Sequence, residues 1–391
     1  MKEPTKLVTA GRDPAKHQGV VNTPVYHAST VIFPDLATHD EIRAARARGE
    51  QVVVYGLNGT PTTFALENAV AEIEGGYRAL VVPSGLAAVT TALLACLKAG
   101  DHILMVDSVY EPTRNFCRGM LARYGVETTY YDPLIGGKIA DQVRPNTRVV
   151  FVESPGSLTF EVQDIPAIAA AAHAKAALVV MDNTWASPLY FKPFEHGVDI
   201  SIQAGTKYLA GHSDLLIGTI SATQQAWPAL RETARMLGLG AGPDDVYLTL
   251  RGLRTLGVRL ARHQESGLAL ARWLEARPEV ARVLHPGLPT DPGHALWKRD
   301  FLGASGLFGV ELKPASRQAV AAMIDHMELF GIGYSWGGFE SLIVLTDPQR
   351  VRTATRWEGH GPLLRLHAGL EDVEDLIKDL ESGFARLNAA L

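Results

Sequence analysis

Between about Ala79 and Ile220 the chain alternates short runs of β-branched and aliphatic residues with alanine- and leucine-rich stretches. That is the pattern of parallel strands covered by helices, because a strand pairs in parallel with its successor only after a crossover of a dozen residues or more. The predicted strands are Ala79–Val82, His102–Val106, Arg148–Glu153, Leu178–Met181 and Ile200–Gln203. Each is a continuous run rather than an alternation, which places it in a sheet buried on both faces. A doubly wound, mostly parallel α/β domain is expected.

The flanks lack this period. Met1 to about Gly59 mixes proline and glycine with one charged helical stretch, Asp40–Glu50, and has no core of its own, so it reads as an arm that packs on something else. After about Arg254, long amphipathic helices (Leu256–Ala276, Arg317–Phe330, Glu371–Ala389) alternate with short strands, Gly306–Leu312 and Leu342–Val344. That is the signature of a smaller α+β domain. The predicted division is an arm over 1–59, an α/β domain over 60–254 and a C-terminal α+β domain over 255–391. A chain of 391 residues is longer than one core usually grows.

Composition excludes several partners. The net charge is −5, and the 37 basic residues stand singly instead of in runs, so neither nucleic acid nor an anionic membrane is an expected partner. Cys96 and Cys117 are too few for a disulfide framework and sit in no metal-binding spacing. None of the 13 histidines forms a metal-site motif, and His212 and His367 read as structural. Apolar stretches such as Ala177–Met181 are far shorter than a membrane span needs. The polar start Met1-Lys2-Glu3-Pro4-Thr5-Lys6 opens no apolar signal region, so a cytoplasmic protein is expected.

In open α/β sheets ligands bind at the carboxyl ends of the strands, and four ends here carry chemistry. At Pro83-Ser84-Gly85-Leu86 a strand breaks into a helix whose N-terminus suits an anion. Tyr110 follows the second strand and is a catalytic candidate that can stack on a flat ligand and exchange a proton. Asp182 ends another strand, where a buried acid needs a cationic partner such as a pyridinium nitrogen. Thr206-Lys207 follows Ile200–Gln203, and a lysine with a lowered pKa is a nucleophile towards carbonyls. Each residue alone also fits a plainer role: a capped turn at Ser84, a packing ring at Tyr110, a helix cap at Asp182, a surface lysine at Lys207. Together, in one sheet, they match a phosphate-bearing pyridine aldehyde.

On these motifs the chain resembles the transsulfuration group of fold-type I pyridoxal-phosphate enzymes. The resemblance runs from about Tyr55 to the C-terminus and is sharpest at Glu153-Ser154-Pro155-Gly156-Ser157, Asp182-Asn183-Thr184-Trp185-Ala186, Thr206-Lys207-Tyr208, Arg251-Gly252-Leu253-Arg254 and Ser335-Trp336-Gly337-Gly338. It implies that Lys207 holds pyridoxal 5′-phosphate, Asp182 pairs with the ring nitrogen, Tyr110 stacks on the ring, and Gly85, Leu86 and Thr206 bind the phosphate. It further implies Arg365 as the clamp on the substrate α-carboxylate, with Ser335, Trp336 and Tyr110 around the substrate. Trp336 and Tyr110-Glu111-Pro112 resemble the β-lyases of the group. The implied activity is cleavage of L-cystathionine to homocysteine, pyruvate and ammonia in methionine biosynthesis, by a homo-oligomer that is a dimer of dimers.

Two positions depart from the family pattern. Members usually carry Tyr-x-Arg before Gly-x-Pro-Thr, both side chains reaching a neighbouring subunit's phosphate; here Tyr55 remains but the arginine is Leu57. The serine usual three residues before the lysine is Ala204. A γ-acting lyase or synthase, and a non-catalytic regulator built on the same fold, stay open as alternatives.

Overall fold

The computed structural model describes residues 1–391. Seven strands build the larger sheet: Arg78–Val82 (β1), His102–Val106 (β2), Glu127–Tyr131 (β3), Thr147–Glu153 (β4), Leu178–Asp182 (β5), Ile200–Gln203 (β6) and Gly218–Ala222 (β7). Their order is β1-β7-β6-β5-β4-β2-β3. All run the same way except β7, which lies antiparallel to both β1 and β6. The ends of β1, β2, β4, β5 and β6 therefore share one edge, and the four chemistry-bearing turns converge there.

The five predicted strands are all present, with ends within a residue of those expected. Two strands of this sheet escaped the sequence reading. The edge strand β3, Glu127-Thr128-Thr129-Tyr130-Tyr131, buries only its last residue and so shows no apolar run. In contrast, β7 is wholly buried yet small and polar, Gly218-Thr219-Ile220-Ser221-Ala222. Its hydroxyls lie opposite Ser201 and Gln203 of β6, which donate to the buried Glu74 carboxylate at 2.8 and 2.9 Å. This polar seam inside the core hid the strand.

Helix Gly85–Cys96 starts where Ser84 Oγ accepts the Ala87 N–H at 3.1 Å, and helix Ile165–His173 starts at an equivalent Asp164 cap. Such caps satisfy N–H groups that the first turn leaves free. Against these helices the sheet buries Ile103–Val106, Val149–Val152 and Val179–Met181 completely.

In the arm, helix Glu3–Thr9 docks on its own chain: Leu7 is buried, and Arg254 donates to the Leu7 and Ala10 carbonyls at 2.9 and 2.8 Å. The charged helix is Leu36–Ala47, displaced from Asp40–Glu50 because Asp35 caps it through the Thr38 N–H at 2.7 Å. Val20, Val21, Ile32 and Leu36 remain exposed along the arm.

The smaller sheet is antiparallel, in the order β10-β11-β9-β8, from Val280–Leu284 (β8), Leu307–Leu312 (β9), Leu342–Thr346 (β10) and Leu363–His367 (β11). The 254/255 division falls inside one helix, Pro243–Glu275. Its first half packs Val246–Leu260 against the arm and helix Pro61–Glu74, whereas Leu270, Ala271 and Leu274 join the core of the smaller sheet. The helix predicted over Arg317–Phe330 stops at Ile324. There the Asp379 carboxylate takes the backbone N–H groups of Glu328, Leu329 and Phe330 at 2.8–3.1 Å, replacing helical partners.

Candidate active site

At the shared strand edge a cavity of about 290 Å³ opens between the large sheet, β11 and the turn at Tyr334–Trp336. That is near the lower end of small-molecule sites, roughly 300–1,000 Å³. Gly85, Leu86, Tyr110, Asp182, Thr206, Lys207, Ser335, Trp336 and Arg365 all line it. Nine of the ten residues singled out from sequence are thus brought together in a single chain. The tenth, Tyr55, lies with Leu57 along a separate cavity of about 560 Å³ beside the arm.

Lys207 reaches inward from the turn after β6, and its Nζ donates to Ser335 Oγ at 2.5 Å. The amine stands 5.4 Å from the Trp336 ring centre. Burial, with the neighbouring Arg365 charge, lowers the ammonium to about 8, so a substantial neutral fraction exists near physiological pH. The turn that delivers Ser335 is conformationally constrained. Ser335 itself has φ +75°, a region costly for a side chain, and Gly337 at φ +87° would bring a Cβ to 3.0 Å from the Lys207 carbonyl carbon. Glycine is required there for both reasons. Arg365, on β11, donates to the Ser335 carbonyl at 3.3 Å.

Asp182 accepts from the Thr184 N–H at 3.0 Å and from its hydroxyl at 2.6 Å, both at Oδ1, while Oδ2 takes no bond from the protein. Burial raises its carboxyl above the usual range, Thr184 partly opposing. Glu153 sits beside it in register across β4 and β5. Burial and the Asp182 charge push Glu153 well up as well. Glu153 Oε2 accepts the Tyr110 N–H at 2.8 Å and so fixes the turn that presents the tyrosine. Burial, then Asp182, also raises the Tyr110 hydroxyl.

At the opposite end, the Ser84 cap leaves the first N–H groups of helix Gly85–Cys96 free, with the positive end of the helix dipole behind them. A Cβ on Gly85 would approach the Ala204 Cβ to 2.6 Å, so the turn can close on β6 only with glycine. Thr206 Oγ1 donates to the Ile217 carbonyl at 3.2 Å and accepts the Ile217 N–H at 2.9 Å.

The sequence reading missed Glu153 and Thr184 as site residues. Glu153 carries the same signal as Asp182, an acid ending an apolar strand. Thr184 has no signal in spacing: its hydroxyl matters because it donates to Asp182 and accepts the Ala204 N–H at 2.9 Å, linking β5 to the Lys207 turn.

Residues 4–385 match the model of the Cys/Met metabolism PLP-dependent enzymes. The chain belongs to that family. Among relatives, the cystathionine β-lyases of Escherichia coli and Salmonella typhimurium are 47% and 48% identical, each over 98% of both chains. An L-alanine/L-glutamate racemase of Wolbachia pipientis is 43% identical over 99% of this chain and 98% of its own. The crystal structure of cystathionine γ-synthase from Xanthomonas oryzae in complex with cystathionine superposes with a TM-score of 0.90 at 31% identity, covering both chains fully.

Pyridoxal phosphate, the family's cofactor, fits the residues present: a low-pKa amine, a buried carboxylate with one oxygen unbonded, an aromatic ring and a free helix N-terminus share one cavity. Because the neutral amine is the nucleophile, uptake of the cofactor by the apoprotein should accelerate as pH rises through about 8 and then level. Stopped-flow absorbance over pH 6–9.5 reads this; a rate still rising steeply at pH 9.5, as for an ordinary lysine, would contradict the low-pKa assignment.

Proposed function

We propose that this family member is a carbon–sulfur β-lyase, converting L-cystathionine and water to L-homocysteine, pyruvate and ammonia, and acting on other cysteine S-conjugates. The observation that carries this reading is Lys207 held by Ser335 and faced by Trp336, in a chain nearly half identical to two cystathionine β-lyases over almost its full length.

In this reading Arg365 binds the substrate α-carboxylate through its planar guanidinium, which sets the Cα–H bond towards Lys207. Lys207 removes the Cα proton and is returned to its neutral form by giving that proton to the departing β-sulfur, which leaves as the thiol of homocysteine. The cofactor, when bound, supplies the electron sink that makes this proton acidic, and Asp182 keeps the pyridine nitrogen protonated for that purpose. Tyr110 lines the cavity where it would stack on the cofactor ring, and the apolar walls of Leu86, Leu158 and Trp336 limit water access. Gly85, Leu86 and Thr206 are assigned to the phosphate.

We also assign 1–59 as an arm, 60–254 as the cofactor domain and 255–391 as the C-terminal domain, accepting that one helix serves both lobes. The arm's exposed apolar residues, together with Tyr55 lying away from Lys207, support a homo-oligomer, a dimer of dimers, in which Tyr55 reaches a neighbour's site. No helix is long and apolar enough to cross a membrane, and the cytoplasm is the assigned compartment, with a role in methionine biosynthesis.

A second reading, amino-acid racemisation, is favoured by the Wolbachia relative. It shares the Cα proton removal and differs in returning that proton to the other face. Thiol released from L-cystathionine, with the optical rotation of L-alanine unchanged, supports the lyase; lost rotation without thiol supports the racemase.

A further inference from the structure

The segment joining β10 to β11 leaves the smaller sheet and lies across the large domain, where two buried charges fasten it. The first is Asp107, fully buried three residues before Tyr110. Its carboxylate accepts the N–H groups of Thr353, Ala354 and Thr355 at 3.0, 2.9 and 2.7 Å, and the Thr355 hydroxyl at 2.8 Å. Arg114, equally buried, pairs with it at 2.6 Å and donates to Thr353 Oγ1 at 3.0 Å. The second is Arg352 on the segment itself, paired with Glu161 at 2.5 Å and bonded to the Thr159 hydroxyl.

Both anchors lie within the loops that wall the site. The Gly156 N–H donates to the Glu161 carbonyl at 2.9 Å, and the Ser157 N–H to the Ser108 carbonyl at 2.8 Å, so the Asp107–Tyr110 turn and the 156–161 loop form one block. Leu158 and Phe160 of that loop and Tyr110 of that turn line the cavity. The same segment runs directly into β11, which carries Arg365. Arg365 belongs to the smaller sheet and Lys207 to the large domain, so the distance between them depends on how the two lobes are held together.

We propose that Asp107 and Arg352 are positioning residues that fix Arg365 at the span from Lys207 which an α-amino acid bridges. Breaking either anchor lets β11 move relative to the large sheet, and recognition of the α-carboxylate suffers while the chemistry of the amine end does not. A carboxylate suits the Asp107 site because it takes three converging N–H groups; an amide offers one oxygen and sets its own NH₂ against them.

The proposal rests on Arg365 binding the carboxylate, so the test separates the two ends of the ligand. The holoenzyme and its Asp107→Asn variant are titrated with L-alanine and with ethylamine, the same amine without the carboxylate, following the visible absorbance of the cofactor. The expected result is a loss of roughly tenfold or more in L-alanine affinity, with ethylamine within about twofold of the wild type. Unchanged L-alanine binding, or equal weakening of both ligands, overturns it. Should Asp107→Asn not fold, Arg352→Met cuts the other anchor under the same criteria. Faster amide hydrogen exchange over 352–356 is expected in either variant, and unchanged exchange counts against the anchor role. L-alanine carries no sulfur, so the outcome is independent of which bond the enzyme breaks. An Arg365→Leu variant that still prefers L-alanine over ethylamine as strongly as the wild type would instead refute the assignment of Arg365.

Discussion

Lys207→Ala should remove both the lysine-bound chromophore and turnover, lowering kcat by at least roughly 10³-fold. The magnitude follows from the two roles proposed for one nitrogen: covalent attachment of the cofactor, and transfer of the Cα proton, itself worth roughly 10²–10⁴. No neighbour can substitute. Ser335, the hydrogen-bond partner of the amine, is a hydroxyl with no comparable basicity, and Arg365 stays protonated. The variant should still fold, because Lys207 makes one side-chain hydrogen bond and faces a cavity. Its absorbance spectrum with added pyridoxal phosphate checks the attachment directly; a lysine-bound band that persists would assign the role to another residue.

The second large effect is expected at Asp182. In the protein alone its carboxyl is raised by burial, and a cationic ring nitrogen beside it would restore the charged form. Asp182→Asn keeps the shape and the Thr184 contacts but removes the charge. Breaking a buried ion pair from one side costs about 3–5 kcal/mol, so cofactor affinity should fall by roughly 10²-fold or more. kcat should fall as well, since a neutral ring stores less of the charge left at Cα. Spectroscopic titration of the apoprotein gives the affinity; an unaltered dissociation constant would mean that Asp182 acts only as the cap its Thr184 bonds resemble.

The strands carrying Gly85, Tyr110 and Asp182 were legible because each is an apolar run buried on both sides, and a polar residue ending such a run stands out. Legibility failed where tertiary context overrides the local pattern. In β7, small polar residues lie opposite the β6 side chains Ser201 and Gln203 that donate to Glu74, so no apolar run marks the strand. Past Ile324, the Asp379 carboxylate from a distant helix takes N–H groups that sequence periodicity assigned to a longer helix. The arm's helix began earlier than expected because one cap, Asp35, outweighs the placement of charges further along.

Within the site, resemblance supplied Arg365, and the structure adds how it arrives: on β11, an antiparallel strand whose apolar run Arg365 itself interrupts at the centre. The same logic applies to Glu153. The register of β4 with β5 sets this acid beside Asp182, which raises its carboxyl further, and the Tyr110 N–H partly opposes that cost.

The measurement that tests the central claim most directly is identification of the keto acid formed when the cofactor-loaded protein is given L-cystathionine. Pyruvate together with homocysteine is the predicted result, because proton removal at Cα followed by loss of the β-sulfur leaves a three-carbon fragment. Formation of 2-oxobutyrate with cysteine would contradict it and place the chain among the γ-acting members of its family.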